Sequence, residues 1–163
     1  MGRIDRDTMF LQVAQTVALR GTCERARVGA VLSRDGRIIG IGYNGAPPGM
    51  PHCIAPEVGC ETDDHICTCG DCQVAPYEDR CKHAEGCERT VHAEANAIAF
   101  AARHGVAVEG AELWCTHAPC YVCAKLILSA GITTLHYIIP YRDQRGTQLL
   151  IDAGLAVMTH VPG

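Results

Sequence analysis

The sequence predicts a three-layer α/β domain built on a mixed sheet, and three features carry that expectation. The apolar positions recur at helical spacing near the start of the chain and then break into short runs of strand length. Two of those runs are separated by Asp35-Gly36, the composition of a tight hairpin turn, so the strands flanking it are expected to be antiparallel. Beyond residue 90 helical and strand-like segments alternate, which is the order of an α/β domain.

Taken in order, Met9, Phe10, Val13, Ala14, Val17 and Ala18 mark an amphipathic opening helix that ends near Gly21. Val28 to Ser33 and Arg37 to Gly42 form the hairpin strands. Val91 to His104 is Ala-rich and stops at Gly105, a good helix with a glycine terminator. Ala111 to Thr116 reads as a strand. Cys120 to Ala130 reads as a helix, with Pro119 suited to its first position and Gly131 just past its end. Ile132 to Ile139 is a strand, Thr147 to Ala153 a helix before Gly154, and Leu155 to Thr159 a last strand.

The segment from Tyr43 to Glu88 breaks this rhythm. It has little periodicity but carries Cys53, Cys60, Cys67, Cys69, Cys72, Cys81, Cys87, His65 and His83. A loop of that length inside a compact domain needs something to organise it, and zinc is suited to these side chains.

With 163 residues, the chain fits one domain, 1–163. The formal net charge of -4 and a pI near 6.0 speak against a broad nucleic-acid-binding face and favour a small substrate. The amino terminus lacks the apolar core of a signal peptide, and no apolar run reaches membrane-spanning length. A soluble, cytoplasmic protein is expected. Eleven cysteines in such a protein point to metal or thiol chemistry rather than disulfides.

The chemistry is concentrated in His92-Ala93-Glu94 and Pro119-Cys120-Tyr121-Val122-Cys123. One imidazole and two thiolates are ligands that zinc prefers, and three of them leave the fourth tetrahedral position open. Cys-x-x-Cys alone also occurs in zinc knuckles and redox pairs. Glu94 is what a closed structural site has no use for: it offers a general base beside the metal. The expected helices put His92 and Glu94 in one opening turn and Cys120 and Cys123 on one face of another, so two helix N-termini converge on the site and favour negative charge there.

These motifs identify the chain as similar to the zinc deaminases, whose pattern is H-x-E with P-C-x-x-C. More narrowly it resembles the deoxycytidylate (dCMP) deaminase family of the cytidine deaminase superfamily, through Val28-Gly29-Ala30-Val31, Gly42-Tyr43-Asn44-Gly45-Ala46-Pro47-Pro48-Gly49, His92 to Ile98, Thr116 to Cys123, and Ile127 to Ile132. The resemblance implies a central five-stranded sheet flanked by helices, a homo-oligomer that is often a hexamer, and regulation in many members by dCTP and dTTP. It implies hydrolysis of dCMP to dUMP and ammonia, with His92, Cys120 and Cys123 on a catalytic zinc and Glu94 moving the protons. Asn44 would contact the deoxyribose and Tyr141 the nucleotide. Backbone near Ala93 and Cys120, with Thr116 at the pocket edge, would fix the pyrimidine.

Cys23 and Cys53 correspond to cysteines that bind a structural zinc in some phage and bacterial members, and Cys60 and Cys87 match bacterial members in context. One structural site of Cys23, Cys53, Cys60 and Cys87, with His83 or His65 as substitutes, is therefore expected. Departure from the family begins at Ile66, in an insertion whose Cys67, Cys69, Cys72 and Cys81 would make a further site. The Cys-rich zinc-binding insertion spans about residues 53–87. For a 5′-phosphate the sequence offers Arg25, Arg27, Arg103, Arg142 and Arg145.

Other readings share parts of the pattern. A tRNA adenosine deaminase carries the same two motifs but needs a basic surface, which the charge of -4 does not supply. Free cytidine deaminases usually carry Cys where His92 stands, and a deaminase of riboflavin synthesis would show a longer second motif. A deaminase of another cytosine nucleotide remains open, and a zinc-stabilised interaction module gives Glu94 no role.

Overall fold

The structure, a computed structural model, describes residues 2–23, 26–53 and 89–160. In chain order these form α1 (Arg6–Ala18), β1 (Gly29–Arg34), β2 (Arg37–Tyr43), α2 (Ala93–Arg103), β3 (Glu112–His117), α3 (Tyr121–Ser129), β4 (Thr134–Ile139), α4 (Arg145–Asp152) and β5 (Ala156–Thr159). The five strands make one sheet in the order β2-β1-β3-β4-β5. β1 pairs antiparallel with β2 and β3, whereas β3, β4 and β5 run parallel, so the sheet is mixed as expected. Asp35 and Gly36 both take positive φ, 52° and 72°, which is the backbone of a two-residue hairpin turn matched to strand twist.

The strand pleat sends alternate residues to two cores. On one face Ala30, Leu32, Leu113, Cys115 and Leu135 pack with Ala93, Ala97, Ala124, Ile127 and Leu150, which belong to α2, α3 and α4. On the other face Val31, Trp114 and Ile138 meet Phe10, Leu11 and Ala14 of α1. Trp114 is fully buried, and its indole N–H donates to Ser33 Oγ at 2.8 Å, which removes the cost of burying that donor. The three layers are therefore α1, the sheet, and the α2-α3-α4 face.

Two glycines let helices approach these faces. A Cβ on Gly29 would stand 2.0 Å from the carbonyl oxygen of Ala14 in α1, and one on Gly42 would stand 2.3 Å from that of Ala93 in α2.

Helix starts differ from the sequence expectation. α1 begins three residues before Met9 because the Asp5 carboxylate accepts from the Thr8 N–H at 2.8 Å and caps the helix. His92 and Cys120 are the N-cap residues of α2 and α3, with extended backbone, and do not lie within the first turns. Pro119 accordingly precedes the cap. An N-cap side chain lies beside the free N–H groups of the first turn, so this shift places both ligands where the helix ends concentrate positive potential. Among the described residues no helix is long and apolar enough to cross a membrane.

Candidate active site

Four contacts set the start of α2. Gly45 and Val91 exchange backbone hydrogen bonds of 3.2 and 2.9 Å, tying the chain after β2 to the residue before His92. Asn96 Nδ2 donates to the Tyr43 carbonyl at 2.9 Å, and its own N–H donates to the His92 carbonyl at 2.8 Å. The start of α3 is set by β3 and by Cys120, whose sulfur accepts from the Cys123 N–H at 3.5 Å. With both ends fixed, His92 Nδ1 lies 3.4 Å from Cys120 Sγ and 3.4 Å from Cys123 Sγ.

This donor set fits zinc. Tetrahedral bonds of about 2.0–2.1 Å to nitrogen and 2.3 Å to sulfur separate the two ligand atoms by roughly 3.6 Å. Without a cation two sulfurs this close compete for a proton: hydrogen bonding from Cys123 and the His92 imidazole hold the Cys120 thiol down to about 4, while the same sharing and burial push Cys123 up. A site that gains by losing protons from sulfur is one that a divalent cation stabilises.

Glu94, in the first turn of α2, is only 4% exposed. Burial pushes its carboxyl up from the ordinary 4.5, against the lowering pull of its own backbone N–H and of His92. It lines a cavity of about 320 Å³ together with His92, Ala93 and Cys120. The cavity is also lined by Cys23, Ala26, Val28 and Asn44, and by Pro140, Tyr141 and Arg142, which follow β4. A buried carboxylate whose proton affinity is raised, beside a three-ligand metal site, can take a proton from water and return it to a bound base.

Among the described residues the structure brings most of the catalytic and substrate-binding candidates together. Ala93 and Tyr141 line the cavity, as does Asn44, which is 6% exposed. Both ends of the Asn44 amide also hold backbone: Oδ1 accepts from Val28 N–H at 2.8 Å and Nδ2 donates to the Ala26 carbonyl at 2.7 Å. One hydrogen and one lone pair remain for a ligand. Thr116 sits behind the wall rather than in it, its hydroxyl accepting from the Gly29 N–H at 3.1 Å and standing 3.0 Å from His117 Nδ1.

Of the arginine candidates, Arg142 lines the cavity, with its guanidinium 5.7 Å from the centre of the Tyr141 ring. Arg27 and Arg103 are exposed and not among the lining residues, and Arg145 is paired with Asp143 at 2.7 Å. Arg25 lies outside the described residues. Sequence reasoning missed His117, a half-buried lining residue whose imidazole burial biases towards the neutral form. Its position two residues before Pro119 was the available signal.

Cys23 and Cys53 are brought into contact, 5% and 1% exposed. Cys60, Cys67, Cys69, Cys72, Cys81, Cys87, His65 and His83 lie outside the described residues. Cys115 is fully buried in β3, with its thiol pushed well above the ordinary 9.0 by burial, as befits a core residue.

A helix-flanked mixed sheet carrying His92, Cys120 and Cys123 at two helix starts, with a buried non-ligand glutamate between them, defines a zinc-dependent hydrolytic deaminase. The family model for the cytidine and deoxycytidylate deaminase zinc-binding region matches residues 4–139, and the chain belongs to that family. Among curated relatives it is 38% identical over 159 residues to ComE operon protein 2 of Bacillus subtilis (strain 168), spanning 96% of this chain and 72% of that protein. It is 39% identical over 139 residues to the deoxycytidylate deaminase of Mycobacterium phage D29, spanning 84% of this chain and 97% of the relative. The crystal structure of dCMP deaminase from the cyanophage S-TIM5, in complex with dCMP and dUMP, superposes with a TM-score of 0.76 at 26% identity, over 98% of this chain and all of that one.

Proposed function

We propose that this chain converts dCMP and water to dUMP and ammonia, with His92, Cys120 and Cys123 holding the catalytic zinc and Glu94 as the acid-base residue. The observation that carries the reading is Glu94, buried in the wall of a cavity that Tyr141 and Arg142 also line. When bound, zinc supplies the Lewis acidity that makes water nucleophilic at neutral pH. Glu94 accepts the proton of the attacking water and delivers it to the pyrimidine ring nitrogen, which makes the neighbouring carbon electrophilic. As the carbon–nitrogen bond breaks and the added hydroxyl becomes the carbonyl of dUMP, Glu94 takes that hydroxyl's proton and passes it to the departing amine, which leaves as ammonia. Asn44 and Ala93 orient the nucleoside, Thr116 steadies the wall through Gly29 and His117, and Tyr141 with Arg142 receives the 5′-phosphate.

The chain is one deaminase-type domain with a zinc-binding insertion around 53–87, acting in the cytoplasm, where thiols stay reduced for metal. The contact between Cys23 and Cys53 supports a structural zinc shared with Cys60 and Cys87, or with His83, and Cys67, Cys69, Cys72 and Cys81 would hold another. Exposed Phe100, Tyr121, Val122 and Leu126 on α2 and α3 support assembly into a homo-oligomer. Regulation by dCTP and dTTP is carried by the family resemblance.

The test is a substrate panel on metal-analysed protein. dCMP should be converted with a higher kcat/KM than deoxycytidine, from protein containing more than one zinc per chain. Equal efficiency on the two substrates would reassign the chain to nucleoside deamination, and a single zinc with most thiols titrating freely would remove the structural sites.

A further inference from the structure

The geometry points to a second metal-binding site, formed by Asp7, His136 and His160 on the α1 face of the sheet, that takes a first-row divalent cation such as zinc or nickel. The three residues come from the first turn of α1, the middle of β4 and the residue after β5. One ligand atom from each lies within 4.8 Å of the others. This site is separate from the three-ligand set at the starts of α2 and α3 and does not rest on the dCMP reading.

The positions are held by rigid structure. His136 is 4% exposed and stacks on Trp114, with centroids 3.5 Å apart and planes inclined by 7°. The His160 backbone N–H donates to the Tyr137 carbonyl at 2.8 Å, which continues the pairing of β5 with β4. His136 Nδ1 and His160 Nε2 are 3.0 Å apart.

The surroundings set the tautomer that a metal needs. His136 Nε2 stands 3.3 Å from Glu112 Oε2, and Arg6 grips both oxygens of that carboxylate at 3.1 Å. Both oxygens of that carboxylate accept from Arg6, and in the same role Oε2 accepts from His136 Nε2–H, which turns the Nδ1 lone pair towards His160. Carboxylate, histidine and metal in line form the arrangement that orients imidazole ligands generally. Asp7 adds the negative charge that a dication requires, and imidazole with carboxylate suits first-row metals. Occupied, the site would clamp the first turn of α1 to the β4-β5 side of the sheet. The competing arrangement is a plain hydrogen bond from a protonated His160 Nε2 to His136 Nδ1.

Trp114 is the sole tryptophan in the chain and stacks on the candidate ligand, so it reports on this site directly. Full-length protein that keeps zinc at its thiolate sites, and has been washed with a mild chelator to strip metal held only by imidazole and carboxylate, should be titrated with Ni²⁺ alone, which quenches indole emission at short range. A saturable loss of emission with about one equivalent of Ni²⁺ is expected, with the apparent affinity weakened roughly tenfold or more by His160→Ala and by Asp7→Asn, and by a similar factor in Glu112→Gln. Asp7 is on the surface of α1, so its variant keeps the fold even where the histidine variant does not, which circular dichroism checks. Quenching that never saturates, or that is the same in Asp7→Asn as in the parent protein, leaves only the hydrogen-bonded histidine pair and overturns the site.

Discussion

In the proposed reaction Glu94 is the residue on which the chemistry turns, because its burial raises the cost of its charge at the place where a proton would be taken and given back. A carboxyl pushed upward from 4.5 has a proton affinity closer to the working pH, which is what an acid-base residue needs. Glu94→Gln keeps the shape and loses the proton carrier. Turnover of dCMP should fall by roughly 10²–10⁴ with zinc content unchanged, measured as steady-state rate beside metal analysis. Near-parental turnover would remove Glu94 from the mechanism. That His92, Glu94, Cys120 and Cys123 meet at two helix starts was legible in the sequence, because short spacings there place them without knowledge of the fold. Arg142 was one of five indistinguishable arginines, and His117 was not singled out at all, since both reach the cavity only through the way β3 and β4 end beside each other. Asp7, His136 and His160 lie far apart along the chain, so no local pattern could have joined them.

At the scale of the elements, the proposed catalytic residues His92 and Glu94 are held by how closely α2 lies on the hairpin. Gly42 sets that distance: a methyl group there would press on the Ala93 carbonyl oxygen and, at 2.5 Å, on the Ala97 nitrogen. Because the obstacles are backbone atoms they cannot rotate aside, and α2 must move as a unit. Gly42→Ala should destabilise the protein by roughly 1–3 kcal/mol, and because His92 and Glu94 ride on the displaced helix, activity should drop beyond what the lost folded fraction explains. Denaturant unfolding paired with the specific activity of the folded protein checks this, and unchanged activity per folded molecule would show that α2 tolerates the shift. The sequence showed α2 and α3 as helices but placed their ligands one step too deep. Composition marks where a helix is favoured, whereas the cap is decided by contacts such as the Gly45-Val91 bridge and the Asn96 link to Tyr43.

For the whole molecule, the order of helices and strands was readable because each strand is a short apolar run between turn residues, and the mixed character of the sheet followed from one hairpin and a run of alternations. What periodicity could not supply was the strand order, in which β1 sits between β2 and β3 and pairs with both. That arrangement puts Ala30 opposite Cys115 in the interior of the sheet. Cys115 is enclosed on that account, and its thiol resists ionisation, whereas Cys120 sits at the cavity with its sulfur biased to the reactive thiolate. Alkylating reagents attack only the exposed thiolate, so in metal-stripped protein the two cysteines would keep different time. Cys120 should be modified at once by iodoacetamide, while Cys115 should wait for the central strands to part and so record the rate or population of global opening, resolved by peptide mass mapping. Modification of Cys115 as fast as Cys120 in native buffer would mean that β3 separates from β1 without the rest of the domain. The thiol that takes no part in catalysis is thereby a built-in gauge of how often the sheet comes apart.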